Sequence, residues 1–496
     1  MEGEKVTEAL NEKLKKENVK WVQLHFTDIP GFLMSFTVPV KEFLDGNAWD
    51  EGIGFDGSSV KGFKSIETSD MVAKPDPATM AILPWTSKEQ KTARVICDIY
   101  EAYKGGRFEG DPRYCAERAM KALKEEGFTV AIFGPEVEYF VFNHFDPTKL
   151  SFDMIGAGEG APLSVRILPS SPEITPGNYI ILPKTGYFQA PPIDKTSDYR
   201  NEVAETLFKM GIEVECTHHE VATAGQLEIV FKPFTIAATG EKLPNDTVRT
   251  GDAVVTYKFV ARNIAAKYGW LATFMPKPVF GDNASGMHVH ISLWRGNPPN
   301  GENVFYDPND EYAEISQIAR YFIGGQLEHA RATCAVVAPT VNSYRRLVPG
   351  YEAPIYIMWS RRNRSALVRI PVYYKGAKMA HTKRVEVRHP DPSCNPYLAF
   401  AVLLAAGLDG IKHKIDPGDP VDKNAYKLTE EEKKRYNVRE LPTSLKEALE
   451  ELESDEVIQR ALGSHIFDAF IELKTKEWSM ACAYVSPLDY MLYFNI

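Results

Sequence analysis

The chain has 496 residues, 44% of them hydrophobic and 25% charged, enough for two to four domains around a large core. Its formal net charge of -10 argues against broad, sequence-independent nucleic-acid binding, and no run of about 18 apolar residues exists to span a membrane. The charged first twenty residues lack the apolar stretch of a secretory signal. The six cysteines, Cys97, Cys115, Cys216, Cys334, Cys394 and Cys482, are scattered. Without a C-x-x-C pair they imply neither a disulfide framework nor a zinc motif, so a reducing cytoplasm is expected.

Residues 1–20 read as an amphipathic helix with Val6, Leu10 and Leu14 on one side. Trp21 to Phe26 alternate like a strand, Asp28 to Gly31 make a turn, and Phe36-Thr37-Val38 is strand-like up to Pro39. Residues 52–62, rich in glycine and serine, read as too irregular for helix or strand, and Ala93 to Ile99 as another strand. Together these predict a small α+β unit over residues 1–109. Asp111 can cap a helix with Pro112 at its first position; the helix covers 114–126 and stops at Gly127. Residues 110–496 then read as one large α+β domain. Within it, 143–180 is polar and predicts a functional or mobile loop, and 242–250 a smaller loop insertion. Residues 396–412 and 441–462 read as helical. There is no internal repeat.

Four segments carry charged or imidazole side chains two residues apart within an apolar alternation. They hold Glu136 and Glu138, then Gln226 and Glu228, then His288, His290 and Ser292, then Arg384, Glu386 and Arg388. On a strand, residues i and i+2 share a face. Met287, Val289 and Ile291 therefore occupy the face opposite the histidines. Any one pair fits an ordinary solvated strand; four repeats of the pattern point to a sheet lining a polar cavity. Carboxylates gathered there repel one another unless cations neutralise them.

Glu136, Glu138, Glu220, Glu228 and Glu386 with His288 form an oxygen-rich set that suits Mg²⁺ or Mn²⁺ better than structural zinc. Six ligands can serve two ions, which can polarise a phosphoryl group. A second set is basic: Arg345, Arg346, Arg361, Arg362, Arg364, Arg369 and Arg388. For Arg361 and Arg362 a solvated surface patch is an equally good account. Arg369 and Arg388 lie in apolar strands and need an anionic partner. The loop Gly54 to Ser59 could bring Asp56 and Ser59 to a ligand, though such turns are common. A P-loop and a G-x-S-x-G elbow are both absent. These residues fit metal-assisted phosphoryl transfer to an anionic acceptor; a metal-dependent hydrolase fits equally.

Asp56-Gly57-Ser58-Ser59, the 134–140 segment, His219 to Glu228, Lys277-Pro278 ahead of Ser285 to His288, Asn342 to Pro354, Asn363-Arg364-Ser365 and Glu386 to Pro392 follow one another in an order that resembles type I glutamine synthetase. The resemblance runs from about residue 20 to the C-terminus. It implies an N-terminal β-grasp domain and a larger catalytic α+β domain whose curved antiparallel sheet lines the active site. It also implies dodecamers of two stacked hexameric rings, with the Asp56 loop reaching a neighbouring subunit's site. The implied reaction condenses glutamate with ammonia, using ATP, through γ-glutamyl phosphate. By this resemblance Glu138, Glu220 and Glu228 would hold one metal ion, and Glu136, His288 and Glu386 the other. Glu215, His290, Ser292, Arg364 and Arg369 would face ATP. Asn283, Ala284, Arg346 and Arg388 would face glutamate. Asp56, Ser59, Tyr187 and Glu220 would form the ammonium pocket, and Glu352 would close the site.

Two positions depart from the family pattern. Ala284 replaces a usual glycine, and Tyr426 resembles a tyrosine that some bacterial members adenylylate, with Ala425 and Lys427 weakening the match. Tyr426 is expected to be an ordinary exposed tyrosine. Two alternatives remain open: a related ligase for a larger amine, and a catalytically silent regulatory or structural assembly.

Overall fold

The computed structural model describes residues 2–102, 105–144, 166–167, 179, 181–372 and 374–496. The first helix, Glu2–Lys16, buries Leu10 and Leu14 and ends in three lysines that suit the negative end of its dipole. Trp21–Thr27 follows. It pairs antiparallel with Leu33–Pro39 and parallel with Thr92–Glu101. Asp70–Pro75 extends this sheet on the far side of Thr92–Glu101, and Ile53–Asp56 forms its edge.

That edge strand corrects the irregular reading of 52–62. Ile53–Asp56 is drawn into the ladder by Asp70–Pro75, a tertiary partner that local composition does not reveal. Gly57–Ser59 then makes one tight turn, with the Asp56 carboxylate accepting the Ser58 amide at 2.8 Å.

Asp111 caps the helix Pro112–Glu125, accepting the Arg113 amide at 2.9 Å. The second sheet begins beyond it. Among the described residues its main path runs Lys242–Pro244, Gln226–Ile236, Val130–His144, Met287–Arg295, Val385–Val387, Val368–Ile370, Trp359–Arg361. Ile212–His219 adds to the Gln226 strand. Residues 242–250 are thus no loop insertion. Lys242–Pro244 pairs with Phe234 to Ile236, and Asp246 caps the helix Thr247–Lys267 through the Val248 and Arg249 amides. The expectation for 143–180 falls almost wholly outside the described residues.

One face of the second sheet is the core side: Met287, Val289 and Ile291 have no exposure. Burying each such side chain contributes about 1.5–3 kcal/mol. Behind the sheet lies Pro396–His413, a helix buried along most of its length. It meets Gln317–Glu328 so closely that a Cβ on Gly410 would lie 2.5 Å from the Gly325 amide nitrogen, which requires glycine there. Residues 441–462 form two helices, Leu445–Ser454 and Glu456–Leu462. The chain breaks at Asp455, whose carboxylate caps the second.

The two sheets are tied by buried charge. Arg113 pairs with Asp252 through two 2.9 Å bonds and with Asp76 at 2.6 Å. Arg249 reaches the same Asp76, and the Tyr397 hydroxyl donates to Asp252 at 2.7 Å. Among the described residues no helix is long and apolar enough to cross a membrane. All six cysteines are free thiols.

Candidate active site

The four segments picked out by two-residue spacing are consecutive neighbours in the second sheet. Register aligns their polar faces. Glu228 stands opposite Glu138, His288 opposite Glu136, His290 opposite Glu386, and Arg369 opposite Glu386. Directly paired residues lie about 4.5–5.5 Å apart, so the row forms one continuous surface of carboxylate, imidazole and guanidinium.

Two clusters emerge along it. In the first, His218 Nε2 lies 3.1 Å from Glu228 and Nδ1 3.5 Å from Glu220. Glu138 adjoins them, its Oε2 accepting from Gln226 at 3.1 Å and from the Gly286 amide at 3.0 Å. In the second, His290 Nε2 lies 2.9 Å from Glu136, and His288 Nδ1 lies 3.5 Å from Glu136 and 3.8 Å from Glu386. Glu386, fully buried, is flanked by Arg369 and Arg388.

Electrostatics separates the clusters. Burial pushes the Glu138 carboxyl up to about 7. Burial and mutual repulsion also raise Glu220 and Glu228. Burial opposes ionisation of Glu136 too, but the imidazoles beside it hold its carboxyl well below the usual range. Burial likewise opposes Glu386, which Arg388, His290 and Arg369 bring to about 2. Burial and Arg388 lower His288 to about 4, which keeps its ring neutral. Three crowded carboxylates with raised pKa values are a site that a cation would stabilise. His218, Glu220 and Glu228 bring three candidate ligand atoms within 4.8 Å of one another, and so do Glu136, His290 and Glu386; the expected sets have Glu138 in place of His218 and His288 in place of His290.

Arg346, almost fully buried, donates to the carbonyls of His389 at 2.8 Å and Arg388 at 3.1 Å. Asn283 is buried, and the Ala284 carbonyl accepts from Gln226, the amide that also holds Glu138. Tyr187 stacks on Phe188 at 4.0 Å, stands edge-on to His218 at 5.7 Å, and feels the Glu220 charge. Arg364 is exposed, with its charge reaching Glu228. Ser292 accepts the Trp294 indole N–H at 2.9 Å. Glu215 is exposed at a bulge, skipped where the register passes from Val230–Cys216 to Phe231–Val214. Glu352 is exposed in a left-handed conformation, φ 60°.

Asp56 and Ser59 stand apart from this group. Asp56 accepts from Ser58 and Ser59, within its own loop. Tyr426 is not the exposed residue expected. It is half-buried, and its hydroxyl donates to the Ala353 carbonyl at 2.6 Å. His218 was not singled out from the sequence, although it stands two residues before Glu220, the same spacing that marks the other pairs.

Comparison with known proteins bears on the fold and the family. Residues 18–102 match the β-grasp domain of glutamine synthetase, and residues 109–493 its catalytic domain. The chain is 54% identical to a glutamine synthetase of Archaeoglobus fulgidus, over 97% of this chain and 96% of that one. It is 50% identical to one of Sulfolobus acidocaldarius, over 98% of each. A solved structure titled "GmaS/ADP complex-Conformation 1" superimposes with a TM-score of 0.77 at 27% identity, covering 98% of this chain and 99% of that one.

An N-terminal β-grasp domain joined to a catalytic domain of this kind defines an ATP-dependent ligase that uses divalent metal. The chain belongs to the glutamine synthetase family, and its activity is that of a glutamate–ammonia ligase.

Proposed function

We propose that the enzyme makes glutamine through γ-glutamyl phosphate on the polar face of the second sheet, with two divalent ions, Mg²⁺ or Mn²⁺, per site. The observation that carries this reading is the register: Glu228 with Glu138, His288 with Glu136, His290 and Arg369 with Glu386, side by side. Glu138, Glu220 and Glu228 would hold one ion; Glu136, His288 and Glu386 the other. Bound there, the ions would neutralise phosphate charge and help align the transfer.

The remaining steps fall to the chain's own groups. Arg346 and Arg388 hold glutamate through its carboxylates, beside Asn283 and Ala284. Glu215, His290 and Ser292 orient the nucleotide. Arg364 and Arg369 balance charge on the transferring phosphoryl group. A glutamate carboxylate oxygen bonds to the γ-phosphorus as the bond to ADP breaks. The ammonium ion sits among Asp56, Ser59, Tyr187 and Glu220, and Asp56 takes one of its protons. Ammonia then attacks the acyl carbon and phosphate leaves. Glu352 covers the site and keeps water from the acyl phosphate.

Asp56 and Ser59 bond within their own loop, which fits their serving a neighbouring subunit's site in a homododecamer of two rings. The apolar residues Leu488, Met491, Leu492 and Phe494, exposed at the C-terminus, also favour assembly. The division into domains at 109/110 and a cytoplasmic location, in keeping with six free thiols, belong to the same reading.

The test is phosphate release from ATP with Mg²⁺, glutamate and ammonium, omitting each in turn. Release that needs all of them, with one glutamine per phosphate, supports the reading. Release driven by a larger amine and not by ammonia overturns it.

A further inference from the structure

The stretch around Glu352 has an unusual backbone. Gly350 has φ 92°, and Glu352, two residues on, has φ 60°. A non-glycine side chain rarely adopts that left-handed conformation, and it persists where the surroundings over-determine it. Here the surroundings grip the turn from both sides of Glu352.

On the N-terminal side the grip is the Tyr351 ring. Lys277 Nζ lies 3.9 Å from its centroid and Lys184 Nζ 4.7 Å. Two ammonium groups against one aromatic ring are attracted to its negative face. Both lysines are tied to one residue, Asp282. The Lys277 ammonium donates to the Asp282 carbonyl, and the Lys184 amide donates to its carboxylate at 3.2 Å. The same buried carboxylate receives the Thr223 amide at 2.7 Å and the Asn283 amide at 2.9 Å. Asn342 brackets the Lys277 peptide, accepting from its N–H at 2.7 Å and donating to its C=O at 3.0 Å.

On the C-terminal side the grip is Tyr426, whose hydroxyl donates to the Ala353 carbonyl at 2.6 Å. The turn that carries Tyr426 is tied to the Arg364 loop: Ser365 Oγ accepts the Ala425 amide at 3.0 Å, and Asn363 donates to the Lys423 carbonyl at 2.7 Å. The Glu352 turn is therefore tied to two separate loops. One carries Asn283, the other Arg364.

We infer that Tyr351 and Tyr426 are positioning residues that together hold the Glu352 turn over the acyl phosphate, and that their grip sets how completely ATP use is coupled to glutamine formation. The inference rests on the reaction proposed above. Loosening either side admits water to the site. Water oxygen then bonds to the acyl carbon, the bond from that carbon to the phosphate-bearing oxygen breaks, and glutamate and phosphate are released. The net leak is ATP and water going to ADP and phosphate.

The experiment compares phosphate and glutamine produced by the assembled wild type and three variants, with melting temperature as the control for folding. Wild type comes first: if it makes no glutamine, the reaction itself is wrong and the latch is not what failed. With wild type coupled, Tyr426→Phe removes one hydroxyl and keeps the ring. It is expected to raise phosphate released per glutamine by about two- to tenfold, the factor one ordinary hydrogen bond carries, most clearly at low ammonium. Tyr351→Leu, which removes the ring face, is expected to do the same. Tyr351→Phe keeps that face and is expected to stay coupled. If folded Tyr426→Phe and Tyr351→Leu both stay coupled, the inference fails. If Tyr351→Phe leaks as much as Tyr351→Leu, the ring–ammonium grip is wrong.

Discussion

Arg384 Nε donates to His290 Nδ1 across 3.1 Å. A guanidinium has only protons to give, so Nδ1 accepts and the ring proton sits on Nε2, where Glu136 receives it at 2.9 Å. In this arrangement His290 orients the Glu136 carboxylate, a proposed metal ligand, and its own ring nitrogen lies within 4.8 Å of ligand atoms of Glu136 and Glu386. His288, neutral, faces both Glu136 and Glu386 through Nδ1, which also lies 3.4 Å from Arg388 Nη1, and is the imidazole proposed above to ligate. His288→Ala should weaken Mn²⁺ binding by more than about 100-fold, and His290→Asn by about tenfold or less, the lower end of what orienting partners contribute. Calorimetric titration of Mn²⁺ reads both. The reverse order would exchange the two roles.

Glu138 gives the metal-free protein a characteristic pH dependence. Its folded-state pKa, about 7, lies above the ordinary 4.5, so the folded state holds a proton that the unfolded state gives up. Its contribution favours folding below about 4.5 and is lost as pH rises towards 7. Glu220 and Glu228 are shifted in the same direction. Glu136 and Glu386 are shifted downward, so they stay ionised in the folded state across this window and add only a small opposite slope near pH 5. In EDTA these carboxylates contribute a fall in melting temperature from pH 5 to 7, set against the rise contributed by His25, His219, His288 and His389, whose burial lowers their pKa values. With Mg²⁺ the fall should shrink or reverse, because ion binding favours the ionised carboxylates. A slope unaffected by Mg²⁺ would mean these carboxylates do not meet the ion.

The sequence made the polar face legible because period-two alternation assigns faces without reference to fold. That was enough to put Glu136 with Glu138, and His288 with His290, on one face of their respective strands. It could not reveal that the four strands are adjacent, since pairing order depends on long-range register. Residues 52–62 and 242–250 differ for another reason: their partners, Asp70–Pro75 and the Phe234 to Ile236 end of the neighbouring strand, lie outside the strands read from the sequence, and pairing turns weak local patterns into edge strands. His218 carried a usable signal, its spacing from Glu220, hidden inside the run His218-His219-Glu220. The Tyr351 and Tyr426 contacts carried none, because each joins loops that only the fold brings together.

Arg113 is a stability residue far from the chemistry. Its guanidinium compensates Asp252 and Asp76 where the two sheets meet, and it is 4% exposed. Arg113→Ala leaves Asp76 and Asp252 with Arg249 as their remaining ion-pair partner among the described residues, while Asp98 keeps Arg107 and the Arg94 charge still acts on Asp252. Breaking a buried pair in this way costs about 3–5 kcal/mol. Urea unfolding of the assembled protein should show a transition at clearly lower denaturant. An unchanged transition would mean that water or rearrangement of Arg249 replaces the lost charge.

Gly286 lies where three candidate roles meet. Its amide donates to Glu138 at 3.0 Å, and a Cβ there would stand 2.7 Å from Arg346 Nη2 and 3.0 Å from His288 Nε2. Its backbone is outside the left-handed region, so alanine is tolerated conformationally and acts by crowding alone. The guanidinium end is the more movable neighbour, though its bonds to the His389 and Arg388 carbonyls restrain where it can go. Gly286→Ala should therefore displace Arg346 first, raising KM for glutamate by about tenfold, equivalent to about 1.4 kcal/mol, with a smaller change in KM for ATP. Steady-state kinetics with each substrate varied in turn separates these effects. An unchanged glutamate KM in a folded variant would remove Arg346 from the glutamate site.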